Sequence, residues 1–349
     1  MTQKHHGPRY VLRDVQRTDL AGIKRVAALL NSQNLPDDEK ALAELIDTSV
    51  RSFTGAIRNP FERQYIFVLE ELRTARIVGT SMIIAQHGTR ESPHIYLDIY
   101  EKEHYSAFLD KHLRHRVLQI GYNFEGPTEI GGLVVDPAFR HHDKPGKQLS
   151  FCRFLFMAIR PQRFRERVLA ELMPPLTPEG KSRLWEAFGS KFTNLSYQDA
   201  DRASRRNKEF IQQLFPQGEI YATLFSKSVQ EVIGEVGPDT VGVRTMLEKI
   251  GFRYDEHIDP FDGGPHFSAP VREVGPIKLY ARAKLSAEQL PAGEGEDRLV
   301  AIERPRRRQR FRAVWTLARF DEDAVLLPTP AVEALGAQTG DVVHTIPFY

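Results

Sequence analysis

Residues 129–156 read EIGGLVVDPAFRHHDKPGKQLSFCRFLF. An apolar run gives way to Arg140, Lys144 and Lys147 around Pro145 and Gly146, then to an apolar helical pattern. The N-terminus of a helix presents unpaired backbone N–H groups, which bind anions and phosphate above all. Gly146 lets a ligand come close to the backbone, and the three cations add charge. Such a loop suits the pyrophosphate of a nucleotide or of coenzyme A, and the same residues would also make a solvated basic turn. In the run before it, Gly131 and Gly132 mark a bulge or a close approach by another backbone or a ligand. The unpaired groups of a splayed strand would accept an extended amide-bearing arm such as pantetheine.

Other residues could move protons or hold charge. Glu129 opens the apolar run, and Glu171 lies between Leu169 and Leu172 in a half-buried pattern, where a carboxylate needs a cationic partner. His257 and His266 flank the segment IDPFDGGP, and an imidazole that titrates near neutrality is a natural proton carrier. Asp259 and Asp262 either grip a guanidinium bidentately or shape the turn at Gly263-Gly264-Pro265. Cys152 sits among apolar neighbours and reads as a core residue. His5-His6 and His141-His142 are adjacent pairs, not i,i+4 ligand pairs, so spacing gives no metal site. The arginine run at 305–312 belongs to a chain of net charge +2 and reads as a solvated loop, not a nucleic-acid surface.

These groups need a scaffold. At 349 residues, 41% hydrophobic and 27% charged, the chain exceeds what one core usually serves. The N-terminus lacks the apolar core of a secretory signal, and no apolar stretch approaches a membrane span. A single cysteine allows no internal disulfide, which fits the cytoplasm. The patterning predicts a strand at 9–15 and a helix from Leu20 capped by Thr18 or Asp19. A second helix over LPDDEKALAELIDTSVRSF and a hairpin from QYIFVLEEL and RIVGTSMIIAQ follow. Residues 88–125 carry no assignable pattern. Strand, helix, strand and helix come next, through TEIGGLVVDPAF, GKQLSFCRFLFMAIRP, FRERVLAELMP and KSRLWEAFGSKF. Residues 199–270 hold further helices, including ASRRNKEFIQQLFP and VGVRTMLEKIGFRY, and short β runs, beginning with EVGPIKLYARAKL, fill the C-terminal part.

The strand, Asp-Pro, arginine, basic glycine loop and apolar helix together resemble the GNAT acyl-CoA N-acyltransferases. MLEKIGFRY at 246–254 resembles the last helix of that fold. More narrowly, VLEE (68–71), GLVVDPAFR (132–140), SFCRFLFMA (150–158), LAEL with LWEAFGSKF, VIGEVGP (232–238) and EKIGFRYDEHIDPFDGGP (248–265) resemble the arginine N-succinyltransferase family. The resemblance runs from about residue 9 to at least 270. It implies an α/β fold (a mixed α+β sheet) with a GNAT-like acyl-CoA-binding domain at 9–198, a second GNAT-like segment at 199–270 and a C-terminal β-rich module at 271–349.

The resemblance also implies succinyl transfer from succinyl-CoA, a co-substrate and not a permanently bound cofactor, to the α-amine of arginine. The partners would be acyl-CoA, a small amine and further copies of the chain, without nucleic acid or membrane. Leu133, Val134 and Val135 would follow the coenzyme A arm, Leu133 standing where the family assigns a succinyl-CoA contact. Amides of Leu133 or Val135 would face the oxyanion, and Arg140, Lys144, Gly146 and Lys147 the pyrophosphate. Glu129 stands where such enzymes keep a glutamate acting through water, and Glu171 is retained from the family pattern.

Three departures stand out. The loop from Arg140 to Gly146 is one residue longer than usual, with Lys144 in place of the first glycine. Asn31-Ser32-Gln33-Asn34 replaces a glycine-threonine turn. Gly237 replaces the family's proton-donor histidine, which makes His257 the leading substitute and leaves Asp259 and Asp262 as the guanidinium partners. Two alternatives follow from the lost histidine, an N-acyltransferase for a different amine and a non-catalytic acyl-CoA-binding partner subunit.

Overall fold

A computed structural model describes residues 7–28, 35–36, 38–90, 92–140, 143–204, 207–291 and 293–349. His5-His6, the 31–34 turn and His141-His142 lie outside the described residues. Strand β1 (Tyr10–Asp14) leads to α1 (Leu20–Ala27) and α2 (Glu39–Thr54). Next come β2 (Gln64–Glu71), β3 (Arg76–Ile84), β4 (His94–Ser106), β5 (Lys111–Asn123) and β6 (Thr128–Val135). Helix α3 (Pro145–Ile159) and β7 (Arg167–Glu171) precede α4 (Arg183–Ala187), α5 (Gly189–Thr193), α6 (Tyr197–Ser204) and α7 (Glu209–Leu214). After them come β8 (Ile220–Tyr221), α8 (Lys227–Gln230), α9 (Val241–Lys249), β9 (Arg253–Ile258) and β10 (Pro265–Pro270). The chain ends with α10 (Gly275–Lys278), β11 (Ala281–Gln289), β12 (Glu296–Glu303), β13 (Phe311–Asp321), β14 (Ala324–Leu327), α11 (Thr329–Leu335) and β15 (Val342–Pro347). This is the mixed α/β architecture expected. Among the described residues no helix is long and apolar enough to cross a membrane.

Contacts divide the chain into two compact units, each discontinuous in sequence. The first contains residues Met1–Ala85, Ile130–Glu166 and Val271–Tyr349, and the second Gln86–Glu129 and Arg167–Pro270. The stretch 9–198 therefore contributes to both.

In the first unit, β1, β2 and β3 pair antiparallel, and β13 pairs with the other edge of β1. The C-terminal strands close on themselves in the order β13-β12-β15-β11-β14-β13, a ring with no free edge. Val300, Val314, Leu285 and Val343 fill it, with Val11 of β1 in the same cluster. Helix α2 starts at Asp38, whose carboxylate accepts the Ala41 N–H at 2.8 Å, as the first-turn acids imply. Phe53, Tyr65, Phe67 and Phe156 pack ring to ring with centroids 4.9–5.5 Å apart.

Several sequence expectations change here. Asp19 does not cap α1 by its side chain; it holds Arg13 at 2.7 Å and the Gln16 N–H at 2.7 Å, and a 3-10 turn precedes the helix. The run EVGPIKLYARAKL opens as helix α10, with Pro276 preset for a first turn, and becomes strand only from Ala281.

In the second unit β6 begins parallel to β7, and the order continues β7-β10-β9-β4-β5-β8. The unassigned stretch 88–125 is a long antiparallel hairpin, β4–β5. Its base buries Ile95, Leu97, Leu118 and Ile120 against Trp185, Phe188, Tyr197 and Phe215 of the helices. Its tip is exposed on both faces, with Phe108 94% exposed, so the alternation that marks a half-buried strand is missing there.

Asp14 is buried at the end of β1 and accepts the N–H groups of Arg310 and Phe311 at 2.9 and 3.0 Å. Burial pushes its pKa from 3.8 to about 6, against the lowering effect of those bonds. The folded chain then keeps a proton that the unfolded chain has released. Stability should fall as pH rises from about 4 to about 6, by up to ~3 kcal/mol. Urea melts across that window should show the slope in the wild type and lose it in Asp14→Asn.

Candidate functional site

The strand–loop–helix segment belongs to the first unit, apart from the start of β6. Gly132 has φ +54, a left-handed conformation that interrupts β6 where the paired glycines predicted a bulge. Leu133 beyond it is half-buried, while Val134 and Val135 are buried. Lys144, at φ +49, stands at the N-cap of α3 without a side-chain cap bond. The first amides of α3 therefore face out of the helix with Gly146 beside them, where an added Cβ would meet only Val135, at 3.8 Å. The expected cations turn toward the protein. Arg140 donates to the Val135 carbonyl at 3.2 Å, and Lys144 lies 5.7 Å above the Trp315 ring. Lys147 lies 4.9 Å from the Phe348 ring centre. An anion here would meet backbone amides first and these side chains only after rearrangement.

The second unit gathers a cluster that spacing does not reveal. His87 follows β3, His94 opens β4, Glu171 closes β7, and His266 lies opposite Glu171 in the β7–β10 register. His87 Nδ1 is 2.6 Å from Glu129 Oε2, and its Nε2 is 3.9 Å from Glu171 Oε1. His94 Nε2 and His266 Nε2 approach the same oxygen at 3.4 and 3.6 Å. His94 is 4% exposed and His266 0%, and none of their ring nitrogens has a hydrogen-bond partner. Burial lowers the pKa of both, His266 to about 3, so they remain neutral imidazoles. Burial would raise Glu171, but the surrounding His266, His94 and His87 outweigh it and hold the carboxylate well below its usual range.

Close backbone packing sets His87. Its N–H donates to the Pro127 carbonyl at 2.7 Å, and a Cβ on Gly126 would fall 1.9 Å from the His87 carbonyl oxygen. Only glycine fits at 126, and the loop is pinned by that contact.

His257 adjoins that cluster, its ring centre 6.4 Å from that of His266. It is cross-strand to Asp98 in the β4–β9 register, with Nε2 2.8 Å from Asp98 Oδ1, and it stacks on Tyr96 at 4.3 Å. Its side chain is 33% exposed. Glu256 beside it has φ +59 at a register shift opposite His266, a strained backbone that re-aims the strand.

Asp259 and Asp262 serve their own turn. Asp259 accepts the Phe261 and Asp262 N–H groups at 2.7 and 3.1 Å, and Asp262 accepts that of Gly264 at 2.7 Å. Burial pushes Asp262 up to about 7 and Asp259 well above its usual range. The turn-forming alternative is thus what this geometry displays. Cys152 is buried, and burial raises its thiol pKa, as for an inert core cysteine.

The family model for the arginine N-succinyltransferase beta subunit matches residues 10–276. The chain belongs to the arginine N-succinyltransferase family. A model for the C-terminal domain of the same subunit matches residues 281–347. An arginine N-succinyltransferase of Enterobacter sp. (strain 638) is 32% identical over 96% of this chain and 97% of its own. One from Citrobacter koseri is 31% identical over the same shares. Among solved structures, subunit AI of the arginine/ornithine succinyltransferase of Pseudomonas aeruginosa has a TM-score of 0.82 and 28% identity, covering 98% of this chain and 99% of that one.

Within this arginine N-succinyltransferase relative, Gly237 is more than a missing imidazole. Its N–H donates to the Met173 carbonyl at 2.7 Å, and a Cβ there would lie 2.7 Å from the Pro174 carbonyl oxygen. The backbone has closed on the position, and Thr240 Oγ1 holds the same Met173 carbonyl at 2.9 Å. Even Gly237→Ala should destabilise the protein, by about 1–3 kcal/mol, the usual range for overpacking. A thermal melt of that variant checks it, and an unchanged midpoint would mean the contact is slack.

Proposed function

We propose that the protein transfers the succinyl group of succinyl-CoA to the α-amine of arginine. The observation that carries this reading is the end-to-end family match, which takes in the strand–loop–helix of the first unit and the imidazole-bearing strands of the second. The amine attacks the thioester carbonyl, the tetrahedral oxyanion collapses, and coenzyme A leaves as a thiolate that must be protonated. In our reading Leu133, Val134 and Val135 run beside the coenzyme A arm, with amides of Leu133 or Val135 toward the oxyanion. The amides at the start of α3 receive the pyrophosphate, and Arg140, Lys144 and Lys147 supply positive charge around it.

A succinyl group carries a carboxylate that an acetyl group lacks. Arg153 on α3 suits it. The residue is 3% exposed, donates to Ser150 Oγ at 2.9 Å and to the Gly131 carbonyl at 3.4 Å, and has no carboxylate partner among the described residues. A buried guanidinium without an acid favours an anionic ligand.

We assign proton transfer to His257, oriented by Asp98. Glu129 is buried against His87, and Glu171 is surrounded by imidazoles, so both are less available to an incoming amine than a one-third exposed histidine. A second reading, ornithine as the acceptor, is favoured by the Pseudomonas relative, which is described as an arginine/ornithine enzyme.

Free-thiol release from succinyl-CoA should depend on arginine or, on the second reading, on ornithine. His257→Ala should lower kcat by about 10²–10⁴-fold, the range of a lost general acid–base group. No amine-dependent release by the wild type would remove the functional proposal. Full activity in His257→Ala would remove only the role of His257. With Arg153→Gln, the KM for succinyl-CoA should rise while that for acetyl-CoA stays level.

A further inference from the structure

We propose that His87, His94 and Glu171 form a binding site for a divalent cation of the zinc or cobalt class. The site does not depend on the acyl-transfer reading. Each residue offers one ligand atom, and these atoms all lie within 4.8 Å of one another. Ligands about 2.0–2.1 Å from a tetrahedral centre stand about 3.3–3.4 Å apart. His94 Nε2 and Glu171 Oε1 are already separated by 3.4 Å, and His87 Nε2 needs only a small advance from 3.9 Å.

The surroundings point the same way. His94 is buried with neither ring nitrogen hydrogen-bonded. A fold that removes an imidazole from water normally gives its nitrogens a partner. A cation supplies that partner. Glu129 holds His87 by Nδ1, which leaves Nε2 to face Glu171, the carboxylate–histidine–metal arrangement that orients an imidazole ligand. His266, fully buried on the neighbouring strand, brings its Nε2 to 3.6 Å from the same Glu171 oxygen. Glu171 and His87 are 22% and 18% exposed, which gives an ion a way in.

The ligand types choose the metal. Two imidazoles and a single carboxylate suit zinc, cobalt or nickel, whereas magnesium and calcium require mostly oxygen ligands. Three protein ligands also leave a coordination position for water or for a substrate oxygen or nitrogen.

The test uses the full-length protein, stripped with a chelator and dialysed. Cobalt(II) is titrated while its visible d–d bands are followed, and zinc(II) binding is measured by calorimetry. One equivalent per chain should bind. His87→Ala and Glu171→Gln should each weaken binding by more than about 100-fold, and Glu129→Gln, which removes the carboxylate held against His87, by about 10–100-fold. Circular dichroism confirms that each variant is folded, and magnesium should not compete. Absence of a tight equivalent in the wild type would overturn the proposal. So would unchanged binding in folded His87→Ala and Glu171→Gln, which would mean an adventitious ion only, held by other histidines.

Discussion

The ionised carboxylate of Glu171, held in a half-buried position, shapes everything around it in the second unit. A charge removed from water has to be matched, and here three imidazoles converge on one oxygen. Two of them, His94 and His266, are buried, and burial lowers the pKa of both. The cluster is compact, with one ligand atom from each of His87, His94 and Glu171 lying within 4.8 Å of the others. Its geometry depends on strand register. A shift of one residue between β7 and β10 would turn His266 to the other face.

Close packing also decides which positions of the second unit can carry a side chain. At Gly237 the Met173 and Pro174 carbonyls occupy the room a side chain would need. At β9 the backbone takes a left-handed residue, Glu256, immediately before His257. One position has closed to side chains, and on β9 a left-handed residue precedes a paired, partly exposed imidazole. In the first unit the N-terminus of α3 remains open at Gly146, while the cations around it are packed on aromatic rings. Electrostatic attraction and close backbone approach are thus divided between different atoms of one short loop.

Much of this was legible from residue types. Binary pattern and turn residues located β1 to β3, β6, α3 and β7, because those elements bury one continuous apolar face and end at Asp-Pro or at polar turns. The β4–β5 hairpin was not legible. Its outer half buries neither face, so its residues carry no period, and His94, Tyr96 and Asp98 were hidden within it. The C-terminal β runs were visible one by one. Their closure into a ring was not, because closure is a matter of long-range pairing between β12 and β13 and of the parallel pair β11–β14.

By itself the sequence determined the family, the α/β composition and the glycine loop before α3. Each of these rests on local pattern or on contiguous motifs. Only the tertiary structure decided that Asp259 and Asp262 are spent on their own turn, since that depends on which N–H groups a folded segment presents. Only it brought His87, His94 and Glu171 together across strands far apart in sequence and paired His257 with Asp98. Ligand spacing along a chain predicts a site only when one helix or loop carries it. Here register and burial between strands do that work, and both are properties of the completed fold.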